Sequence, residues 1–524
     1  MPPPFRLTDF SGGLNTRVRQ NLIADNEASA MRNVWWKERG CLTKRRGMSL
    51  LKGVGNNTAG LNRAAAFNKP GTAATTLDYR IYEWRDPGAG NSTITESDTT
   101  GSGTYGSISS VNETHVGTRA VYFNGDMWFN GNSLLRHTGS GSVSVVSAAP
   151  VNIGCLAPWK NYLFAGYSTR DLGARSQLFW CNLRDGTTWP INNTVFVGTD
   201  DGYSIAAIKP FQDSMVIFKG SKVYSQDVTA IPRQSFYKAS IWQLFGDTFD
   251  PSNPTYSLRQ TVSPDHIACV FQDCVLTWRD LLVFLTNDGI YVFDGVLFRK
   301  YTEKIQPTVD LWWKGYGTYS DASTNINILP LEPQMAVYKN DLYLAIKEFD
   351  ADPPVFSGSV AYPSSIFVFT EQDTAWRWTS TRQITGLTMD GSGNLLGVGS
   401  SDGIAVSLYR LDRDARTDDG NAIDASWTSK EFDFKEQQHF KHFFVHFRRQ
   451  LSGFLNVEYS VDQAPFVSTL IDMSGTKDSI SRSERIVVGT PGRSIQFRLG
   501  NAQNNIDFEI YEIEMYHDKK PGQN

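Results

Sequence analysis

Six times along this 524-residue chain an aromatic or apolar residue is followed by a short polar turn and then by a burst of strand-forming residues. The units are Tyr122-Phe-Asn-Gly-Asp-Met-Trp-Phe129, Pro158-Trp-Lys-Asn-Tyr-Leu-Phe164, Pro210-Phe-Gln-Asp-Ser-Met-Val-Ile-Phe218, Thr277-Trp-Arg-Asp-Leu-Leu-Val-Phe284, Val337-Tyr-Lys-Asn-Asp-Leu-Tyr-Leu344 and Met389-Asp-Gly-Ser-Gly-Asn-Leu-Leu396. Counted between Phe123, Trp159, Phe211, Trp278, Tyr338 and Asp390, the steps are 36, 52, 67, 60 and 52 residues. That is the scale of a four-stranded propeller blade with loops of varying length. A repeat of this kind predicts a platform for contacts rather than a dedicated catalyst.

Composition agrees with an all-β chain. Aromatic residues make up 13% and hydrophobic residues 40%, with 44 glycines, and long Ala/Leu/Glu/Lys runs are missing. A formal net charge of −4 argues against a protein that grips nucleic acid by counterion release, which needs a strongly basic face. Five cysteines at 41, 155, 181, 269 and 274 form no CxxC pair, so neither a disulfide framework nor a thiolate metal site is expected, and assembly in a reducing cytoplasm fits. The opening Met1-Pro-Pro-Pro-Phe-Arg-Leu-Thr-Asp-Phe10 has no apolar signal core. No stretch reaches the roughly 18 apolar residues of a membrane-spanning helix.

Four regions are expected. Residues 1–60 form an N-terminal arm, with a short helix from Asp25 to Asn33 and a basic hairpin pairing Val34-Trp-Trp36 with Cys41-Leu-Thr43. Residues 61–420 form a β-propeller of six to eight blades, to which Phe67 and Tyr79-Arg-Ile-Tyr-Glu-Trp84 add a further candidate blade. Asp294-Gly295 and Asn287-Asp-Gly289 are strong hairpin signals within it. The Gly/Ser/Thr-rich stretch Asp86 to Thr118 predicts a long mobile loop, and 314–333 and 350–363 two shorter insertions. Residues 425–518 carry seven alternating segments that read as a C-terminal β-sandwich, and 519–524 a disordered tail.

The candidate chemistry is thin. On a strand, His442 and His446 share a face about 13 Å apart while His439 faces away, too far apart for one ion. Asp185-Gly-Thr-Thr-Trp189 resembles an Asp-box short of one residue, and Asp390-Gly-Ser-Gly-Asn394 resembles a calcium loop with Ser401 in place of the closing Glu. Both read more simply as turns. No nucleophile elbow, P-loop or HExxH motif is present, and no carboxylate pair stands out, so no catalytic residue, cofactor or metal ligand is assigned. The basic residues Lys37, Arg39, Lys44, Arg45 and Arg46 of the hairpin, with Arg448 and Arg449, have two readings: a solvated charged face, or a contact to a partner or to DNA phosphates.

Asp9-Phe-Ser-Gly-Gly-Leu-Asn15, then Asn26-Glu-Ala, Arg32-Asn-Val and Gly40-Cys-Leu-Thr-Lys-Arg-Arg-Gly47, resemble the N-termini of tailed-bacteriophage structural proteins. Trp278-Arg-Asp-Leu-Leu-Val-Phe284, and Phe440-Lys-His-Phe-Phe-Val445 through to Ile510-Tyr-Glu-Ile-Glu-Met515, are similar to the tail hub or nozzle (DNA-stabilisation) proteins of short-tailed phages. The resemblance implies a non-enzymatic virion tail protein assembled in the host cytoplasm as a six-fold ring of identical copies. Such a ring lies below the portal and adaptor proteins, continues the DNA channel without sequence-specific binding, helps retain the packaged genome, and carries fibres, spikes or a needle. The alternative of a different class is a carbohydrate-binding or glycan-cleaving propeller acting on host surface polysaccharide.

Overall fold

The structure, a computed structural model, describes the chain apart from residues 1–2, 38–39, 57–60, 71–76, 87–92, 98–105, 109–115, 168–175, 199–202, 221–239, 250–254, 262–266, 268, 270, 287, 314–332, 348–363, 371–373, 380–381, 383, 385, 391, 401–404, 414–415 and 520–524. The regular structure of the described residues is almost entirely strand, with one short α-helix, Gln306–Trp313. Among them no helix is long and apolar enough to cross a membrane.

Each recurring unit is the hairpin between the first and second strands of a blade. Phe123 pairs with Asp126, Trp159 with Tyr162, Trp278 with Leu281 and Tyr338 with Asp341, each across a two-residue turn. Both turn residues have positive φ in Asn124-Gly125, Lys160-Asn161, Arg279-Asp280 and Lys339-Asn340, which matches the turn to the right-handed twist of the strands. The long cations tolerated there lie over the preceding ring: Lys160 over Trp159 at 5.1 Å, Arg279 over Trp278 at 4.6 Å and Lys339 over Tyr338 at 4.9 Å.

Six four-stranded antiparallel sheets result. In chain order, their first and last strands are Leu61–Pro70 and Gly106–Ser107 (blade 1), Val116–Phe123 and Ser144–Val145 (blade 2), Ile153–Trp159 and Thr194–Phe196 (blade 3), Ser204–Phe211 and Tyr256–Thr261 (blade 4), Val275–Trp278 and Phe298–Lys300 (blade 5), and Gln334–Tyr338 and Ala375–Thr379 (blade 6). A six-stranded sheet fills the seventh position. It runs Gly386–Met389, Leu395–Ser400, Ala405–Arg413, then Gly47–Asn56 from the start of the chain, then Thr417–Asp418 and Asn421–Ala422. The first strand of each sheet packs on that of the next, and Gly386–Met389 returns to Leu61–Pro70, which closes the ring.

Two sets of bonds join the blades. Near the inner strands, Asn130 donates to the Gly154 carbonyl at 2.9 Å, Gln272 both accepts from and donates to the Ile208 backbone at 2.8 and 2.9 Å, and Gln334 accepts from the Leu387 N–H at 2.7 Å. At the turns, a first hairpin reaches the third strand's exit in the next blade. Asn124 donates to the Arg184 carbonyl, Lys160 meets Gly246 and Asp247, Gln212 meets Asp294, and Lys339 meets Asp412.

The C-terminal region is one continuous eleven-stranded sheet, bent until it is nearly closed like a barrel. Two segment pairs expected as separate strands are single long ones, Phe432–Arg448 and Ile486–Asn501. The latter pairs along its length with Ala425–Ser429, Phe432–Arg448 and Phe454–Val461, so a bend in one strand does the work of a second layer.

The arm is woven into this sheet. The strands β1 (Phe5–Leu7), β2 (Ala28–Arg32), β3 (Val34–Trp36) and β4 (Leu42–Lys44) all belong to it, with β1 and β4 on Glu509–Lys519 and β2 on Ala425–Ser429. Asn33, at φ 57°, lies between β2 and β3, so one run of chain pairs on two sides and nearly closes the sheet. The expected helix from Asp25 is therefore corrected to β2: Ala28, Met31 and Val34 are buried, and pairing with the distant 425–429 strand overrides helix propensity. Asp25 instead takes the Lys430 ammonium at 2.8 Å.

Two further expectations change. The stretch Asp86 to Thr118 includes Thr93–Glu96 and Gly106–Ser107, the third and fourth strands of blade 1, because Thr93-Ile-Thr95 suits a pleated strand and Ile94 is buried. Lys519, expected in the tail, is the last residue of the strand Glu509–Lys519 and pairs with Gln438. The insertions at 314–333 and 350–363 lie almost wholly outside the described residues.

Candidate functional site

The signature stretches of the arm converge where the propeller meets the C-terminal sheet. Phe10 is fully buried edge-on to Trp427, ring centroids 5.1 Å apart. Gly13 sits at φ 72° against blade 6, where a Cβ would meet Thr374 Cβ at 2.8 Å and the Ala375 carbonyl at 2.9 Å. The next residue, Leu14, donates its N–H to that carbonyl at 2.8 Å. Only glycine fits so close an approach in that conformation. Buried Glu27 gathers Asn15 Nδ2 at 2.7 Å, the Ala24 N–H at 2.9 Å and Lys304 Nζ at 3.0 Å, which ties the arm to the segment after blade 5. Burial pushes its carboxyl up, but those three donors more than offset it and hold the group below its usual value.

Arg45 is the centre of the junction. Its Nε donates to Asn33 Oδ1 at 2.8 Å, Nη1 to the Arg46 carbonyl and Asp418 Oδ1 at 2.9 Å each, and Nη2 to the Thr379 carbonyl at 3.0 Å and Asp418 Oδ2 at 2.5 Å. All five donors of the guanidinium are used, two of them in a forked pair with a carboxylate. The residue thereby fastens the arm to blades 6 and 7 at one point.

Lys44 is fully buried, its ammonium shared by Asn501 Oδ1 at 3.2 Å and the carbonyls of Gln503 and Ile506 at 3.1 and 3.0 Å. Burial lowers its pKa to about 8, with nearby Asp507 opposing and Arg45 and Arg416 adding to the fall. Thr43 and Arg416 both hold Asp507, and Arg416 also donates to the Lys44 carbonyl.

The other described basic residues bind within the chain as well. Lys37 and Arg448 hold the two oxygens of buried Glu509 at 2.6 and 3.0 Å. Arg448 also donates to the Tyr511 hydroxyl. Arg449 donates to Ser481 Oγ at 2.7 Å and to the Ser474 carbonyl. Arg46, about half exposed, faces Asp412 at 3.7 Å, and Arg39 lies outside the described residues. The structure therefore divides the six described residues: Lys44 and Arg45 lie buried at the junction, Lys37 and Arg448 share Glu509, Arg449 holds Ser481, and Arg46 stands half exposed beside Asp412. It corrects the outward-facing reading for Lys44 and Arg45, whose burial leaves no surface for a phosphate or partner. Sequence alone gave no sign of their counterparts Asn501 and Asp418, which lie hundreds of residues away.

The two motif-like loops are turns. Asp185 Oδ1 accepts from the Thr187 N–H and hydroxyl at 3.0 and 2.6 Å. Asp390 accepts from Ser392 N, Asn394 N and Asn394 Nδ2 at 2.7 to 2.9 Å, so its oxygens are directed into its own loop. His442 stacks on Tyr516 at 4.9 Å, and His446 faces Glu514 at 3.5 Å.

No protein-family model matches the chain, and no curated protein matches it in sequence. Solved structures similar to it include a streptogramin B lyase (12% identity, 70% of this chain and 96% of that one, TM-score 0.37) and the WD40 β-propeller domain of Doa1 (11%, 70% and 98%, 0.35). An exo-β-1,3-galactanase from Phanerochaete chrysosporium is a third (11%, 69% and 95%, 0.23). At this distance the likeness carries no argument about activity. The propeller assignment rests on the strand order itself.

Proposed function

We propose that this chain is a structural, non-enzymatic component of a bacteriophage tail, a hub or nozzle subunit. Copies form a ring that continues the DNA channel below the portal and adaptor, retains packaged DNA and anchors fibres or spikes. The observation that carries this reading is the junction: the arm whose sequence resembles phage structural proteins uses its signature residues Phe10, Gly13, Glu27 and Arg45 to lock propeller and C-terminal sheet together. The near-neutral charge and the internal pairing of the basic hairpin fit a channel wall that lets DNA pass instead of holding it.

Imaging of intact particles tests the proposal. A ring of this protein beneath the portal supports it, and absence from virions ends it. Shortening of host polysaccharide by the purified protein would replace it with the glycan-cleaving alternative.

A further inference from the structure

Sheet edges are liabilities, because unpaired N–H and C=O groups recruit other strands, and soluble proteins keep them short, charged or covered. Among the described residues this chain follows that practice almost everywhere. The outer strands of blades 1, 2, 3 and 5 are two or three residues long, and the blade 7 sheet ends on the two-residue Asn421–Ala422. The blade 6 outer strand is packed under β2 and β3. In the C-terminal sheet, the lateral strands β1 and Ile480–Arg482 have three residues each, including an arginine.

Among the described residues two outer edges break the pattern, and both are six residues long. One is Val467–Asp472, which pairs only with Phe454–Val461 and has no charge before Asp472; Val467 is 50% and Leu470 66% exposed. The other is Tyr256–Thr261, the outer strand of blade 4, which carries one exposed cation, Arg259.

We propose that these two edges are partners in different copies of the chain, with Val467–Asp472 of one copy lying parallel to Tyr256–Thr261 of the next. The contact rests on the ring reading above and supplies its subunit-to-subunit link. Equal lengths allow full pairing. With Val467 opposite Tyr256, Ser468 lies opposite Ser257, and Arg259 lies beside Leu470 and diagonal to Asp472, about 7–8 Å away and within reach of a guanidinium. In full antiparallel register Arg259 faces Thr469 instead, with Asp472 on the opposite face, so the charges favour the parallel arrangement. Because the two edges are unlike, each copy offers one and accepts the other. Such head-to-tail contacts build closed rings when the rotation between copies closes.

Cysteine crosslinking tests this, and the five natural cysteines are all buried. Mixing full-length Ser257→Cys and Ser468→Cys variants under mild oxidation should give a crosslinked dimer that neither forms alone. The double variant should give a ladder ending at the ring size. A second variant, Val467→Lys with Leu470→Lys, should shift assembled protein to monomer with an unchanged circular-dichroism spectrum. Crosslinking of Ser468→Cys with itself would mean a two-fold contact and overturn the proposal, as would no crosslink in either arrangement. A ring seen in particles whose cysteine pairs stay uncrosslinked would sink this contact while leaving the ring reading intact.

Discussion

Between blades 3 and 4, Lys160 meets Asp247, a carboxylate whose side chain is 93% exposed; at the arm junction, Arg45 meets Asp418 with the two side chains 3% and 4% exposed. The same chemistry therefore works under opposite conditions. Water screens the first pair, which is worth little by itself, so the ring relies on repeating such contacts and on the aromatic cores between blades. The second pair has left water altogether and holds only because every donor is matched. The ring is thus stitched by many small, exposed contacts, whereas the attachment to the C-terminal sheet adds to a shared hydrophobic core a buried charge pair in which each partner needs the other.

The most direct way to break this contrast is Arg45→Ala. It strands the Asp418 carboxylate in the interior and should cost about 3–5 kcal/mol in denaturant unfolding. A cost below about 1 kcal/mol would place the junction in the same class as the seams. Gly13→Ala should come next, at roughly 2 kcal/mol, since it meets both an unfavourable φ and the blade 6 backbone; partial proteolysis should show the arm cleaved earlier than in the parent.

Lys44 sharpens the comparison through pH. Its folded pKa of about 8 lies below the ordinary 10.5, so between those values the unfolded chain holds a proton that the folded chain releases. Wild-type stability should therefore rise relative to Lys44→Met as pH goes from 7 to 10, by about 2 kcal/mol. A pH-independent difference between the two melting curves would mean that the ammonium is not desolvated.

Within the ring, Gln272→Leu removes both bonds to the Ile208 backbone and should cost about 1–2 kcal/mol, read from the denaturation midpoint. Lys160→Ala should be the mildest change, within about 1 kcal/mol and smaller still at high salt. A larger loss for Lys160→Ala than for Gln272→Leu would reverse the ranking of turn and inner-strand stitches.

The propeller was legible because its signal is local. An aromatic residue, two residues able to take positive φ and a run of β-branched or aromatic residues specify a hairpin within eight positions, as Trp278-Arg-Asp-Leu281 shows. Two short strands of blade 1 were lost among Gly, Ser and Thr because two-to-four-residue strands carry too little pattern. The junction was illegible for another reason. Asp25-Asn-Glu-Ala-Ser-Ala-Met31 looks helical by propensity, and Lys44-Arg-Arg46 looks like a solvated surface, until their partners are known.

The amino-acid order by itself thus settles the local units: which residues turn, which pair with near neighbours, and that the chain is β-rich and nearly neutral. Tertiary structure alone decides that residue 28 pairs with residue 429, that Gly47–Asn56 completes the last blade, and that Arg45 faces inward. The physical reason is one of range. Turn preference and alternation act over a few bonds, whereas burying a charge is tolerable only when acceptors from distant segments arrive together, and nothing in either segment announces the other.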